Sequence, residues 1–160
     1  MILRDATTAD APAIAAHWNP VIRDTTITFN PVEKSPDDVV AMIAERQQAH
    51  GFLVAHDGDL LGFATYGQFR GGAGYRHTAE HTIILAPAAR GRGVGRALMD
   101  ALCDHAQEKG MHSLFAGCSA ENMGAVAFHQ AIGFRQVAVL PQVGRKFDRW
   151  IDLILLEKML

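Results

Sequence analysis

Cysteine is scarce in this chain: among 160 residues there are two, Cys103 and Cys118, each inside an apolar run and not in a Cys-x-x-Cys pair. That scarcity excludes a disulfide framework, and both read as buried thiols in a reducing compartment. An excess of positive charge is also missing. Fifteen Lys and Arg stand against seventeen Asp and Glu, for a net charge of -2, so there is no broad electrostatic footprint for nucleic acid. No apolar run is long enough to cross a bilayer, and the opening "MILRDATTAD" has no apolar h-region. The expectation is a cytoplasmic protein with no membrane partner. Internal repeats, low-complexity tracts and linkers are absent as well.

What is present is the composition of an ordinary globular protein, 49% hydrophobic and 20% charged. A chain of this length buries roughly two thirds of its unfolded surface around one core, so a single domain over 1–160 is expected. Ile2 to Ala6 reads as a short strand. "TTADAPAIAAHW" reads as a helix with Thr8 as its cap and Pro12 in its first turns, and "SPDDVVAMIAERQQAHG" as a second, capped at Ser-Pro-Asp-Asp. "FLVAHDGDLLGFATYGQF" is two apolar runs around Asp57-Gly58, a strong hairpin signal. After the glycine-rich "RGGAGYRH", "TAEHTIILAP" reads as a strand, followed by a helix over about 93–109. "MHSLFAGCS" is a strand, "ENMGAVAFHQAIG" a helix, and the last 26 or so residues two strands around a Pro/Gly-containing turn. The predicted order is β-α-α-β-β-β-α-β-α-β-β, an α/β architecture of the α+β type.

The segment "APAARGRGVGRALMDAL" joins a strand to a helix through glycines at 91, 93 and 95 and arginines at 90, 92 and 96. Glycines there permit positive φ and close approach of a ligand, and the helix that follows aims unpaired N–H groups and its positive end at the loop. Arginines add forked donors suited to phosphate oxygens. The P-loop ending Gly-Lys-Ser/Thr is absent, and Arg96 stands where the dinucleotide fingerprint needs its last glycine. On the motif alone, a phosphate cradle and a ligand-free glycine turn both stay open.

The pattern Arg90-x-x-Gly93-x-Gly95 resembles the pyrophosphate loop of the GNAT superfamily of N-acetyltransferases, whose donor is acetyl-CoA. The strand order matches that superfamily, and "ENMGAVAFHQAIGF" is similar to its second signature. Within it, "YRHTAEHTIIL", "RGRGVG" and "PQVGRKFDRWIDL", with Gly144, Lys146 and Trp150, resemble the phosphinothricin and methionine sulfoximine/sulfone N-acetyltransferases. The resemblance implies a single-domain GNAT fold with a mostly antiparallel twisted sheet of about seven strands and about four helices. It implies CoA contacts from Ile83, Ile84 and Leu85, from Gly91, Arg92, Gly93, Val94, Gly95 and Arg96, and from Asn122. It implies Glu80 as general base and His129 as acid or proton relay. Arg70, Gly71, Gly72, Arg76, Glu80, His81 and Thr82 would line the acceptor pocket, and the protein would be a homodimer. Leaning on the arginine in the 70–76 loop, the expected acceptor is a small L-amino acid analogue such as methionine sulfoximine, methionine sulfone or phosphinothricin.

Rival chemistries are narrower. "HTAEH", His77 to His81, matches a zinc-protease pattern, but on a strand four residues span about 13 Å and cannot chelate one ion, so no metal is expected. A non-catalytic acyl-CoA sensor would not need Glu80 and His129. An acetyltransferase of another small amine or of peptides would call for an open acidic groove, whereas arginines in the 70–76 loop suit a closed pocket for an anion.

Overall fold

The structure, a computed structural model, describes residues 1–160. Seven strands and four α-helices follow the predicted order: β1 Ile2–Asp5, α1 Ala11–Asp24, α2 Pro36–Ala49, β2 Gly51–Asp57, β3 Asp59–Gln68, β4 Thr78–Leu85, α3 Val94–Glu108, β5 Ser113–Ser119, α4 Met123–Ala131, β6 Arg135–Lys146 and β7 Arg149–Met159. They form one sheet in the order β1-β2-β3-β4-β5-β7-β6. Every neighbouring pair is antiparallel except β4 with β5.

Period-two side-chain alternation gives the sheet two apolar faces, each covered by helices. On one, α1 and α2 bury Ile14, Trp18, Ile22, Val39 and Ile43 against Phe52, Val54, Phe63 and Ile84. On the other, α3 and α4 bury Val94, Leu98, Leu102, Ala106 and Val126 against Leu53, Tyr66, Leu114 and Leu156. No helix is long and apolar enough to cross a membrane.

Local chemistry sets most of the boundaries. Ser35 accepts from the Asp38 N–H at 3.1 Å while the Asp38 carboxylate accepts from the Ser35 N–H at 2.8 Å, a reciprocal cap that starts α2. Gly58, at φ +80°, closes the β2–β3 hairpin. Three expectations are corrected. Thr8 does not cap the first helix: it opens a 3-10 turn, Thr8–Asp10, whose own cap is Thr7, with the Thr7 N–H donating to Asp10 at 2.7 Å, and α1 starts after Asp10 and runs on through Pro20 to Asp24. The C-terminal hairpin does not turn at its Pro/Gly segment. Lys146 pairs Arg149 across a two-residue turn in which Phe147 and Asp148 take φ +51° and +59°, while Pro141 and Gly144 fall at a register shift inside β6.

Candidate active site

The parallel pair β4–β5 holds for only four residues, Thr78–His81 against Ser113–Ala116, and then parts. Beyond it, β4 stays bonded to β3 and β5 to β7, so backbone groups of Thr82–Leu85 face an open gap. A cavity of about 550 Å³ occupies the α3–α4 side of this gap, lined by Ile83, Ile84 and Leu85, by Arg90, Gly91, Gly93, Gly95 and Arg96, and by Asn122 and Phe128. A second, of about 330 Å³, shares Ile83, Ile84, Asn122 and His129 with it and adds Glu80, Thr82, Cys118 and Ser119. A third, of about 150 Å³, shares Glu80, His81 and Thr82 with the second and ends at Arg46.

The loop at the first cavity is built for an anion. Gly91 and Gly93 take φ +74° and +77°, and the room a Cβ would occupy at each is empty. Gly93 caps α3 without a side-chain bond, and no acceptor in the chain meets the N–H groups of Gly91, Gly93, Val94, Gly95 or Arg96. Five free donors at a helix N-terminus suit a diphosphate. Gly95 differs: its missing side chain admits Leu85 and Phe128, 3.2 and 3.3 Å from where a Cβ would sit.

Glu80 and His81, adjacent on β4, face opposite sides of the sheet. Glu80 leans over β5, its Oε1 3.6 Å from the Cβ position of Gly117. Its side chain reaches solvent at the cavity mouth, yet the protein around it desolvates the carboxylate and raises its pKa. His81 and His129 are buried and bonded Nε2 to Nε2 at 3.0 Å. His129 Nδ1 lies 2.7 Å from the Ala125 carbonyl, which can only accept, so Nδ1 carries the proton and a neutral His129 receives the His81 Nε2–H. That leaves His81 Nδ1 bare, and it is a buried atom without a partner. Burial, then the neighbouring ring, lowers the His81 pKa to about 3; burial lowers that of His129 too, so the pair is neutral at pH 7. Cys118 Sγ stands 3.7 Å from His129 Nδ1, and burial pushes its thiol up to about 11, a poor nucleophile.

The roof of the second cavity is the segment after α1, which supplies Ile27, Thr28 and Phe29. Buried Lys146 donates from Nζ to the carbonyls of Thr25 and Thr28. Gly144 leaves the room that the Phe29 ring fills, and a side chain there would overlap it. The Thr26 hydroxyl donates to Glu121, which pairs with Arg149 at 2.6 Å. The Gly-x-Lys of the closing hairpin therefore holds a loop across the site.

Of the residues singled out in the sequence, Glu80, His81, Thr82, Ile83, Ile84, Leu85, Gly91, Gly93, Gly95, Arg96, Asn122 and His129 border these joined cavities. Arg92 and Val94 do not: Arg92 points outward, 4.0 Å from Asp57, and Val94 is buried in the core. Arg96 also donates to the Ala131 carbonyl, tying α3 to α4. Arg70, Gly71, Gly72 and Arg76 lie in an exposed loop and line none of the three spaces; Arg70 stacks over Tyr75 instead. Sequence reasoning missed Phe128, which walls the first cavity, and Arg46, which ends the third. The His77, Glu80 and His81 side chains do not converge, and no group of three or more ligating side chains gathers anywhere in the chain.

A strand gap beside a glycine loop at a helix N-terminus defines an acyl-CoA-dependent acyltransferase architecture. Residues 18–134 match the Acetyltransferase (GNAT) family, and the chain belongs to that family. It is 35% identical, over 97% of its own length and 92% of the relative's, to the L-methionine sulfoximine/L-methionine sulfone acetyltransferase of Pseudomonas paraeruginosa. Among solved structures it is similar to an acetyltransferase of Salmonella typhimurium determined with acetyl-CoA (TM-score 0.95, 34% identity, 100% and 94% of the two chains). It is also similar to a ribosomal-protein-alanine N-acetyltransferase of Brucella melitensis (TM-score 0.96, 36% identity, all of both chains).

Replacing Lys146 with Met strands the Thr25 and Thr28 carbonyls, and should lower the unfolding free energy in urea by about 1–3 kcal/mol. An unchanged urea midpoint would show that the roof does not depend on this ammonium.

Proposed function

We propose that this chain transfers the acetyl group of acetyl-CoA directly to the α-amino group of a small L-amino acid analogue of the methionine sulfoximine, methionine sulfone and phosphinothricin class. The observation that carries the proposal is the continuity of the three cavities, from five unpaired N–H groups at the start of α3, through the gap, to Glu80. Acetyl-CoA fits the first cavity in kind: the free N–H groups and Arg90 suit its diphosphate, and the exposed backbone of Ile83–Leu85 suits the amide-bearing pantetheine arm. Bound there, it supplies an activated thioester.

The rest falls to the chain. Glu80, with its basicity raised by desolvation, takes the proton of the acceptor ammonium, directly or through water. The freed amine forms the new N–C bond as the C–S bond breaks, and the departing thiolate takes the second proton that the attacking nitrogen sheds, directly or through water. Because the His81–His129 pair is neutral, His129 serves as a relay within that pair and not as a standing imidazolium. A buried, protonated Cys118 favours direct transfer over an acyl-cysteine route. Backbone N–H groups near Leu85 polarise the carbonyl.

We further propose one domain, a cytoplasmic setting that suits the free, buried thiols of Cys103 and Cys118, and a homodimer. Support for the dimer is the apolar edge of the β6–β7 hairpin, where Val139, Val143, Phe147 and Trp150 are about half exposed. A second reading, acetylation of an N-terminal alanine on a protein, draws on the name of the Brucella relative.

Thiol release from acetyl-CoA, measured with a panel of methionine sulfone, methionine sulfoximine, phosphinothricin and an alanine-initiated peptide, separates the readings. In the wild type kcat/KM should rise with pH as Glu80 ionises, since only the carboxylate accepts a proton. Glu80→Gln should lower kcat/KM by roughly 10²-fold or more at neutral pH, with a smaller loss at high pH where the amine is already free. An unchanged pH–rate profile in the variant would remove Glu80 from the mechanism. Light scattering should give twice the 17.4 kDa chain mass. A monomer at micromolar concentration would refute the dimer.

A further inference from the structure

Arg46 is the cation that the site leaves unused. It stands in the last turn of α2, half-buried, with a side chain that makes no ion pair and no hydrogen bond with the chain. Its Nε is shielded from solvent and has no partner. A buried guanidinium N–H without an acceptor is costly and rare in folded proteins. The guanidinium lies where a side chain at position 67 would be: a Cβ on Gly67 would overlap it. Gly67 is the cross-strand partner of Glu80, so both face the same side of the sheet.

The two charges flank β4 without meeting. Glu80 leans away over Gly117 on β5, and Arg46 rests over β3, with no ion pair between them. Between them lies the polar cavity of about 150 Å³ that Glu80 and Thr82 share with the transfer cavity. Adjacent strands are about 4.8 Å apart, so groups over β3 and β5 stand roughly 9–10 Å apart, room for a molecule with amine and carboxylate on one carbon and a hydrogen bond of about 3 Å at each end.

We propose that Arg46 grips the α-carboxylate of the acceptor through its fork of N–H donors while the α-amine faces Glu80. Specificity for α-amino acids over plain amines then comes from α2 and not from the exposed arginines of the 70–76 loop. The assignment rests on the amino-acid acceptor proposed above. A carboxylate in the slot would accept from Nε and one terminal nitrogen in the planar bidentate geometry that arginine favours and lysine does not reproduce.

The test compares methionine sulfone, its carboxamide, which keeps the sulfone but lacks the carboxylate, and norleucine, which keeps the carboxylate but lacks the sulfone. KM and kcat are measured for wild type, Arg46→Met and Arg46→Lys, with coenzyme A affinity by calorimetry as the check on folding. Arg46→Met should raise KM for both carboxylates about tenfold or more, leave the carboxamide within about twofold, and leave coenzyme A affinity unchanged; Arg46→Lys should fall between. If Arg46→Met no longer binds coenzyme A, Arg46→Lys carries the same comparison. Equal losses on carboxylate and carboxamide, a loss confined to sulfone-bearing acceptors, or no loss would each overturn the assignment while the acetyltransferase reading stands. A wild type inactive on every amino acid of the panel would withdraw the acceptor class, and the role of Arg46 with it.

Discussion

The site depends on where two parallel strands stop bonding to each other. β4 and β5 share four residue pairs and then each continues with its outer neighbour, so the sheet stays continuous at its base and open at its top. Backbone left unpaired in a protein interior needs another partner. Here the unpaired edge runs from Thr82 to Leu85, with a positively polarised helix end at one side and a desolvated carboxylate at the other. A sheet that closed between these strands would abolish the passage and separate the two ends.

Much of the remaining structure serves to keep that opening in shape. α4 lays His129 against His81 of β4, fixing both rings in a neutral hydrogen-bonded pair under the gap. The hairpin β6–β7 reaches back through Lys146 and the vacancy at Gly144 to hold Thr25–Phe29 over it. Three segments distant in sequence thus converge on one opening, held there by the His81–His129 bond, the Lys146 ammonium and the room that Gly144 leaves.

The sequence made the local devices legible and left the long-range ones dark. Gly91 and Gly93 could be read because positive φ before a helix has few other occupants, and Asp57-Gly58 because a two-residue turn demands them. Phe147-Asp148 carries no such signature, and Pro141 and Gly144 drew the turn to themselves when Gly144 was making room for Phe29. Thr8 drew the expected cap to itself because nothing local announces the 3-10 turn over Thr8–Asp10 that moves the start of α1 past Asp10. The His81–His129 bond joins residues 48 apart, and no periodicity announces it. Arg46 acquires meaning only once the register sets Gly67 opposite Glu80. Conversely, Arg70 and Arg76 were conspicuous in a glycine-rich stretch, yet the fold leaves them outside the joined cavities.

Amide hydrogen exchange of the purified protein, with and without coenzyme A, tests the open strand edge most directly. Bound coenzyme should slow exchange at Ile83–Leu85 and across Gly91–Arg96 together, while Leu53–His56, paired to a strand on either side, keeps its rates. Coenzyme that bound without protecting those two segments, or that protected others in their place, would contradict the splayed edge as the donor seat.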